Sequence, residues 1–129
     1  MIERGNAHAD GAAFGHWFIG NFAEWARTNP AAAGIRGLRQ ATSVEIKWGF
    51  HPAGESRIDW APCSDKQTLS LLVHGEIVLR FRPPGDRQAV TEIRLEREGD
   101  YALWGPETEH TWIIEQDAVI LTVRWRETV

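Results

Sequence analysis

Residues 98–110, EGDYALWGPETEH, place a short apolar strand between two groups of turn residues. Gly99 and Asp100 open the stretch, Pro106 ends it, and His110 follows where the next apolar run begins. Gly, Asp and Pro are the residue types that allow a sharp turn at the end of a strand. His110 could be a metal ligand, a catalytic base or a turn residue, and the function depends on which.

Strand patterns continue on the N-terminal side of this stretch. In residues 44–50, VEIKWGF, apolar and other residues alternate, as a strand with two different faces requires. Residues 68–81, TLSLLVHGEIVLRF, predict two strands, Thr68 to Val73 and Glu76 to Phe81. We expect a tight hairpin at His74 and Gly75 to join them, with His74 in a structural role.

Further short strands are predicted at AVTEIRL, DYALW, HTWII and AVILTVRW. Short strands at regular spacing favour a sandwich or barrel over alternating strands and helices. We expect a flexible N-terminal segment over residues 1–14 and one domain over residues 15–129. FGHWFIGNF could be an early strand, and a helix and a loop are equally compatible with AEWARTNPAAAG.

Composition limits the classes of protein that fit. The chain has 129 residues, of which 43% are hydrophobic and 25% charged, so one globular core is expected. A formal net charge of -4, without a basic run, argues against nucleic acid or an anionic membrane as partner. The first twenty residues predict neither a signal peptide nor a membrane helix. Cys63 is the single cysteine, which fits a cytoplasmic location.

The order of these strands resembles the cupin superfamily, in particular small single-domain bacterial cupins. The similarity is carried by VEIKWGFHPAGESRIDW, TLSLLVHGEIVLRF, EGDYALWGPETEHTW and VILTVRW, over roughly residues 15 to 126. It implies an all-β fold, a double-stranded β-helix or jelly-roll barrel with an irregular N-terminal segment. Gly99, Asp100 and Pro106 match the second cupin motif, although the spacing from Pro to His is one residue shorter than usual. His110 stands at that motif's metal-ligand position.

The first cupin motif departs from the metal-binding pattern. Metal-binding cupins usually carry a His-x-His pair, then a Glu, and a Gly seven residues after that Glu. Counted back from Gly75, the Glu position is Thr68, and the region of the His pair reads DWAPCS, with Trp60 and Pro62. The segment contains no His, and Trp60, Pro62 and Thr68 provide no imidazole or carboxylate donor. We therefore predict no metal site and no cofactor.

Other donors could restore a metal site outside the family spacing. His51 and Glu55 could reach the barrel mouth, and Cys63 could supply a thiolate. Scattered donors without a spacing signature rarely converge on one ion, and a His beside a Pro is more often a turn residue.

A barrel without metal leaves a cavity for a small molecule. If Thr68 points inward, alternation sends Ser70 and Leu72 inward as well, and the same argument applies to His110 and Trp112. Trp60 is expected at the pocket wall. Aromatic walls with a few hydroxyl and imidazole groups are typical of small-molecule pockets.

Two strands have polar faces whose direction the sequence leaves open. Glu45 and Lys47 on one strand, and Thr122 and Arg124 on the last, could face solvent. They could instead face the barrel interior, with Val44, Ile46, Trp48 and Phe50 packed against a second subunit. Leu69 and Leu71 also suggest a covered outer face, and a homodimer is the simplest cover.

Two classes of function follow, with a third behind them. The first is a metal-independent acid–base enzyme of the isomerase, epimerase or cyclase type, with His110 as proton shuttle and Lys47 or Arg124 stabilising charge. The second is a non-catalytic module that binds a metabolite between Trp60 and Trp112. The third is a metal-dependent oxygenase or lyase with a non-standard site.

Overall fold

The computed structural model describes residues 2–7, 9, 19–20, 39–40 and 43–126. Eight strands have described bounds: β1 (Ile2–Asn6), β2 (Ile19–Gly20), β3 (Arg39–Gln40), β4 (Val44–His51), β5 (Gln67–Arg82), β6 (Thr91–Leu95), β7 (Asp100–Trp104) and β8 (Glu109–Trp125). Within these residues no helix has the length and apolar character to cross a membrane. The N-terminal alternatives for FGHWFIGNF and AEWARTNPAAAG lie almost wholly outside the described residues.

Six strands form one antiparallel sheet in the order β1-β7-β5-β8-β4, with β6 pairing with β5. Alternation correctly predicted β4, β6 and β7 as strands. β1 was not predicted, since its residues were assigned to a flexible segment. It pairs with β7 from Ile2 opposite Trp104 to Asn6 opposite Asp100. β2 and β3 form a separate two-stranded parallel pair.

The hairpin predicted at His74 and Gly75 is wrong, because β5 continues through these residues as a single strand. Its pairing register with β8 shifts between Leu72 and Ile77, so the strand is irregular there and does not reverse. Gly75 has a φ of 95°, and a Cβ atom on it would lie 2.2 Å from the carbonyl oxygen of Asp117 on β8. A residue without a side chain is required where two strands approach so closely.

HTWII and AVILTVRW, predicted as two strands, are both parts of β8. The first half of β5 pairs with β7 and the last part of β8, whereas its second half pairs with β6 and the first part of β8. The sheet therefore has two halves that share their two central strands.

The two halves contribute to one hydrophobic core. Leu72, Trp104 and Ile120 come from the first half, and Leu79 and Phe81 come from the second. These side chains have at most 4% of their surface exposed. Because one cluster draws on both halves, the sheet must fold over so that its halves face each other, as in a closed or sandwiched β fold.

The opposite face of the first half is also buried. Leu69, Tyr101, Leu103 and Trp125 each have at most 1% of their surface exposed within a single chain. This face therefore gives no reason to expect a second subunit, contrary to the expectation from Leu69 and Leu71. The outer face of β4 differs, because its apolar residues are exposed: Val44, Ile46, Trp48 and Phe50.

Candidate functional site

Rows of paired residues across the sheet bring polar side chains to its inner face. Thr68 on β5 lies between Trp104 on β7 and Arg124 on β8. In the next row, Ser70 is opposite Thr122 on β8, and Thr122 is opposite Lys47 on β4. Alternation along each strand keeps such rows on one face, so polar groups of β4, β5 and β8 meet on the inner face next to Trp104 of β7.

These rows border a cavity of about 170 Å³ between the two halves. Polar and aromatic side chains from both halves line it together with a few aliphatic residues: Lys47, His51, Arg57, Ala61, Thr68, Ser70, Ile77, Leu79, Trp104, His110, Trp112, Ile120, Thr122 and Arg124. Lys47, Thr122 and Arg124 line this cavity, and Lys47 and Arg124 are at the same time exposed to solvent. Glu45 lies near Arg124 outside this lining and forms an ion pair with Lys66.

His110 is packed between two indole rings in the cavity wall. The centroid of its ring lies 4.9 Å from that of Trp104 and 6.0 Å from that of Trp112. Its Nδ1 atom is buried without a hydrogen-bond partner in the described part of the chain. Burial, with a smaller contribution from the positive charges of Arg57 and Arg124, lowers the pKa of His110 to about 4. His110 is therefore a neutral imidazole at pH 7.

Three cationic side chains surround the same cavity. Lys47 and Arg124 come from neighbouring strands, and the Arg57 guanidinium lies 5.6 Å from the centre of a Trp112 ring. Within the described residues, Lys47, Arg57 and Arg124 form no ion pair, and no Asp or Glu is among the residues that line the cavity. The lining consequently carries an excess of positive charge.

His51 and Glu55 form a hydrogen-bonded pair at the cavity edge. His51 Nδ1 lies 2.6 Å from Glu55 Oε1, and the side chains are 19% and 36% exposed. His51 is the last residue of β4 and falls on the same inward face as Lys47. Since the carboxylate accepts a hydrogen bond from Nδ1, the lone pair of the neutral ring is on Nε2.

Solved structures with the same arrangement of strands identify the fold. A cupin superfamily protein from Desulfitobacterium hafniense matches with a TM-score of 0.53 and 21% identity, over 70% of this chain and 73% of that one. The sugar 3,4-ketoisomerase QdtA from Thermoanaerobacterium thermosaccharolyticum, in complex with TDP, matches with a TM-score of 0.51 and 13% identity, over 70% and 62%. The chain has the cupin fold. Its two facing halves are those of a double-stranded β-helix.

Streptomyces albus HEPD, with 2-hydroxyethylphosphonate and Fe(II) bound, has a TM-score of 0.54 and 17% identity to this chain. The match covers 66% of this chain but 18% of HEPD. This chain thus spans less than two thirds of the length of QdtA and of HEPD. No protein-family model and no curated protein sequence matches it.

The metal site that many cupins carry does not fit the residues of this chain. Thr68 and Ser70 line the cavity together with His110, where a metal would need carboxylate or imidazole donors. Among the described residues, no three His, Cys, Asp or Glu side chains lie close enough to hold one ion. Cys63, considered as a thiolate donor, is exposed and is not in the lining.

Most of the predicted site residues line the cavity, but Trp60 does not. Lys47, Thr68, Ser70, His110, Trp112 and Arg124 do so. The ring of Trp60 lies 4.1 Å from the guanidinium carbon of Arg82, which donates a hydrogen bond to Glu109. Ala61, the next residue, lines the cavity where Trp60 was expected. A 2.7 Å hydrogen bond from the N–H of Ala61 to the carbonyl of His110 fixes its position.

Sequence reasoning missed Arg57 and Trp104 and assigned His51 to a turn or a metal site. Trp104 could have been found, because pairing the DYALW strand with residues 68–71 places it beside Thr68. Arg57 had no such signal, since it reaches the cavity from an irregular segment that follows β4. Its N–H donates a 3.0 Å hydrogen bond to the carbonyl of Trp112.

Proposed function

We propose that this cupin binds a small anionic molecule, one with a carboxylate or phosphate group, in the barrel cavity. The observation that supports this function is the lining itself, with Lys47, Arg57 and Arg124 and no acidic residue among those described. Like charges gathered around one cavity repel each other, and an anion between them relieves that repulsion. Arg and Lys are also the residues that proteins use to hold carboxylate and phosphate oxygens.

The rest of the lining supports a small organic ligand in preference to a bare inorganic ion. Trp104 and Trp112 offer apolar surface, and Thr68, Ser70 and Thr122 offer hydroxyl groups that can donate or accept hydrogen bonds. The cavity volume of about 170 Å³ is below the roughly 300–1,000 Å³ of sites for drug-sized ligands. A small metabolite, or one end of a larger molecule, suits this space.

Two cupin structures give independent support through what they contain. QdtA is in complex with TDP, and HEPD holds a hydroxyethylphosphonate, so both ligands bear anionic phosphorus groups. The identities of 13% and 17% extend the fold alone to this chain. The proposal of an anionic ligand for this chain therefore rests on its own cationic lining.

Calorimetric titration against matched acids and neutral amides tests the proposal. We expect carboxylates or phosphate esters to bind and their uncharged analogues to bind at least about tenfold more weakly, the equivalent of one charge-assisted hydrogen bond. Arg124→Gln should weaken anion binding by a similar factor. Arg94→Gln is the matched control, because Arg94 is exposed, pairs with Glu115 and does not line the cavity.

Equal binding of anions and amides, or equal effects of the two Arg variants, would contradict an anion site. Between the binding module and the acid–base enzyme, the cationic lining supports ligand binding by itself. The pair of His51 and Glu55 favours a reaction on the bound ligand.

A further inference from the structure

We propose that His51, oriented by Glu55, is the group that moves protons in this cavity, and that it acts on an anionic ligand with a carbonyl group. The inference rests on the proposed function, since the anion site must hold the ligand beside His51. It reassigns proton transfer from His110 to a residue that the sequence indicated only as a turn residue or a metal ligand.

The geometry of the pair is suited to a base. With Nδ1 hydrogen-bonded to Glu55 at 2.6 Å, the ring is held as one tautomer and Nε2 can accept a proton. The carboxylate also stabilises the imidazolium that forms when Nε2 is protonated. No other His of the described residues has a carboxylate partner.

Hydrogen bonds hold the turn that carries Glu55 against the barrel. The backbone of Glu55 is fixed by a 2.9 Å hydrogen bond from the N–H of Ile114 to its carbonyl. Gly54 donates a 2.9 Å hydrogen bond back to Ile114, and the N–H of Ala53 donates to an Asp117 carboxylate oxygen at 2.8 Å. A carboxylate held in this way keeps the orientation of its His partner fixed, as a proton-transfer group requires.

Gly49 provides the space for the His51 ring. The two residues are neighbours on the inward face of β4, and a Cβ atom on Gly49 would lie 2.9 Å from His51 Nε2. That distance is below normal contact, so any side chain at position 49 would displace the ring. The ring's centroid also lies 6.1 Å from that of Trp112, in an edge-to-face arrangement.

His110 is the weaker candidate for the same role. It lies between two Trp rings, and its Nδ1 is buried and unpartnered among the described residues, so no hydrogen bond from this atom to them fixes the tautomer or stabilises the charged form. A pKa lowered to about 4 makes its imidazole a poor proton acceptor at pH 7. His110 then serves as a neutral polar contact in the wall.

The reaction step requires no oxidant or added cofactor. Nε2 of His51 takes a proton from the carbon beside the ligand's carbonyl, the C–H electron pair forms a carbon–carbon double bond, and the carbonyl π electrons move to oxygen. Positive charge on Lys47 or Arg124 stabilises the enolate oxygen. The protonated His51 returns the proton to carbon, which inverts or exchanges that position and restores the base.

Deuterium exchange in D₂O tests the assignment, with 2-oxobutanoate and dihydroxyacetone phosphate as probes. Proton NMR follows the loss of signal at the carbon beside the carbonyl, and calorimetry on the same samples measures binding. We expect a probe that binds to exchange faster than in buffer. His51→Gln should lower that rate at least about 100-fold with binding retained, since general base catalysis contributes about 10²–10⁴-fold.

Two further variants address the geometry without removing the imidazole. Glu55→Gln and Gly49→Ala should each lower the exchange rate while binding persists, because one removes the partner and the other displaces the ring. His74→Gln is the matched control, since His74 is exposed and does not line the cavity. Melting curves establish that each variant is folded.

The outcomes separate this inference from the proposed function. A probe that binds without exchange, or an exchange rate unchanged in folded His51→Gln, overturns the role of His51 and leaves the anion site standing. If neither probe binds, the anion site fails for keto acids and keto phosphates, and the inference fails with it.

Discussion

At the scale of single residues, the neighbours of His110 determine the acid–base chemistry of its imidazole. Trp104 and Trp112 replace water on two sides of the ring, and Arg57 and Arg124 add unfavourable positive potential. Both effects disfavour the imidazolium, and burial is the larger. The same side chain surrounded by carboxylates would have been a stronger base.

This environment predicts a pH dependence of the free energy of unfolding. The pKa of His110 falls from 6.5 to about 4 on folding, so the unfolded chain takes up the proton first as the pH falls. The stabilisation is therefore complete above about pH 6.5 and lost progressively as the pH falls towards 4. It amounts to at most about 3 kcal/mol, at about 1.4 kcal/mol per pKa unit.

Urea denaturation of the protein and of His110→Gln between pH 7.5 and 4 measures this effect. The free energy of unfolding should fall more steeply with decreasing pH in the unsubstituted protein than in the variant. His74→Gln, at an exposed position, should keep the original slope. Parallel curves for all three proteins would show that His110 is not held neutral.

At the scale of elements, the irregular region of β5 predicts how glycine substitutions change the stability of the fold. A Cβ atom at Gly75 would overlap the backbone of Asp117 and Ala118, and its φ of 95° is unfavourable for any other residue. At Gly54 the φ is 88°, but nothing lies within 4 Å of a Cβ atom. Substituting each glycine in turn therefore separates the cost of backbone strain from the cost of steric overlap.

We expect Gly54→Ala to cost about 1–2 kcal/mol of stability, the usual penalty for a left-handed residue with a side chain. Gly75→Ala should cost at least about 2 kcal/mol more, because strand β8 must also move. Urea denaturation midpoints measure both. Equal costs would mean that β5 and β8 are not in close contact at this point.

The same region explains which elements could be predicted from sequence. Alternation identified β4, β6 and β7 because each is short, regular and bounded by turn residues. It divided β5 at Gly75, since a Gly with positive φ serves a strand irregularity and a hairpin turn equally well. Only the partner strand, with Asp117 beside Gly75, decides between the two.

The site was predictable where strands carry it and not where loops do. Strand alternation placed Thr68, Ser70 and Trp112 correctly relative to one another. Trp60 and His51 depend on how irregular segments turn, and local spacing contains no information about that direction. Trp60 was expected in the pocket wall and is not in the cavity lining, whereas His51 was considered with Glu55 at the barrel mouth only as a metal ligand or a turn residue.

At the scale of the whole molecule, the outer face of β4 is the main exposed apolar surface of the described residues. Ile46, Trp48 and Phe50 are 69%, 65% and 64% exposed, and β4 lies at the end of its sheet. An exposed face with several large apolar side chains marks a site of contact with another protein surface. We propose that the same face of a second copy packs against it, because contact about a two-fold axis buries the apolar side chains of both copies at once.

Light scattering coupled to size-exclusion chromatography at micromolar concentration should give the mass of a dimer. Trp48→Glu should shift it to the monomer, because a buried carboxylate in the apolar contact is costly. Ile58→Glu is the control, since Ile58 is 89% exposed and lies outside β4. A monomer mass for the unsubstituted protein would exclude this contact.

Because both halves of the sheet share β5 and β8, the chain cannot be cut into two pieces that each carry one half. Each of these strands, 16 and 17 residues long, contributes to both sides of the core, so neither half is a separable piece of chain. Unfolding one half would remove the central strands of the other half. The unfolding transition should therefore be cooperative over the whole molecule. New chain ends would be tolerated in the exposed turn over residues 83–90 but not at Gly75, although both positions look like interruptions in the sequence. Circular permutation thus distinguishes a boundary between strands from a bend within one.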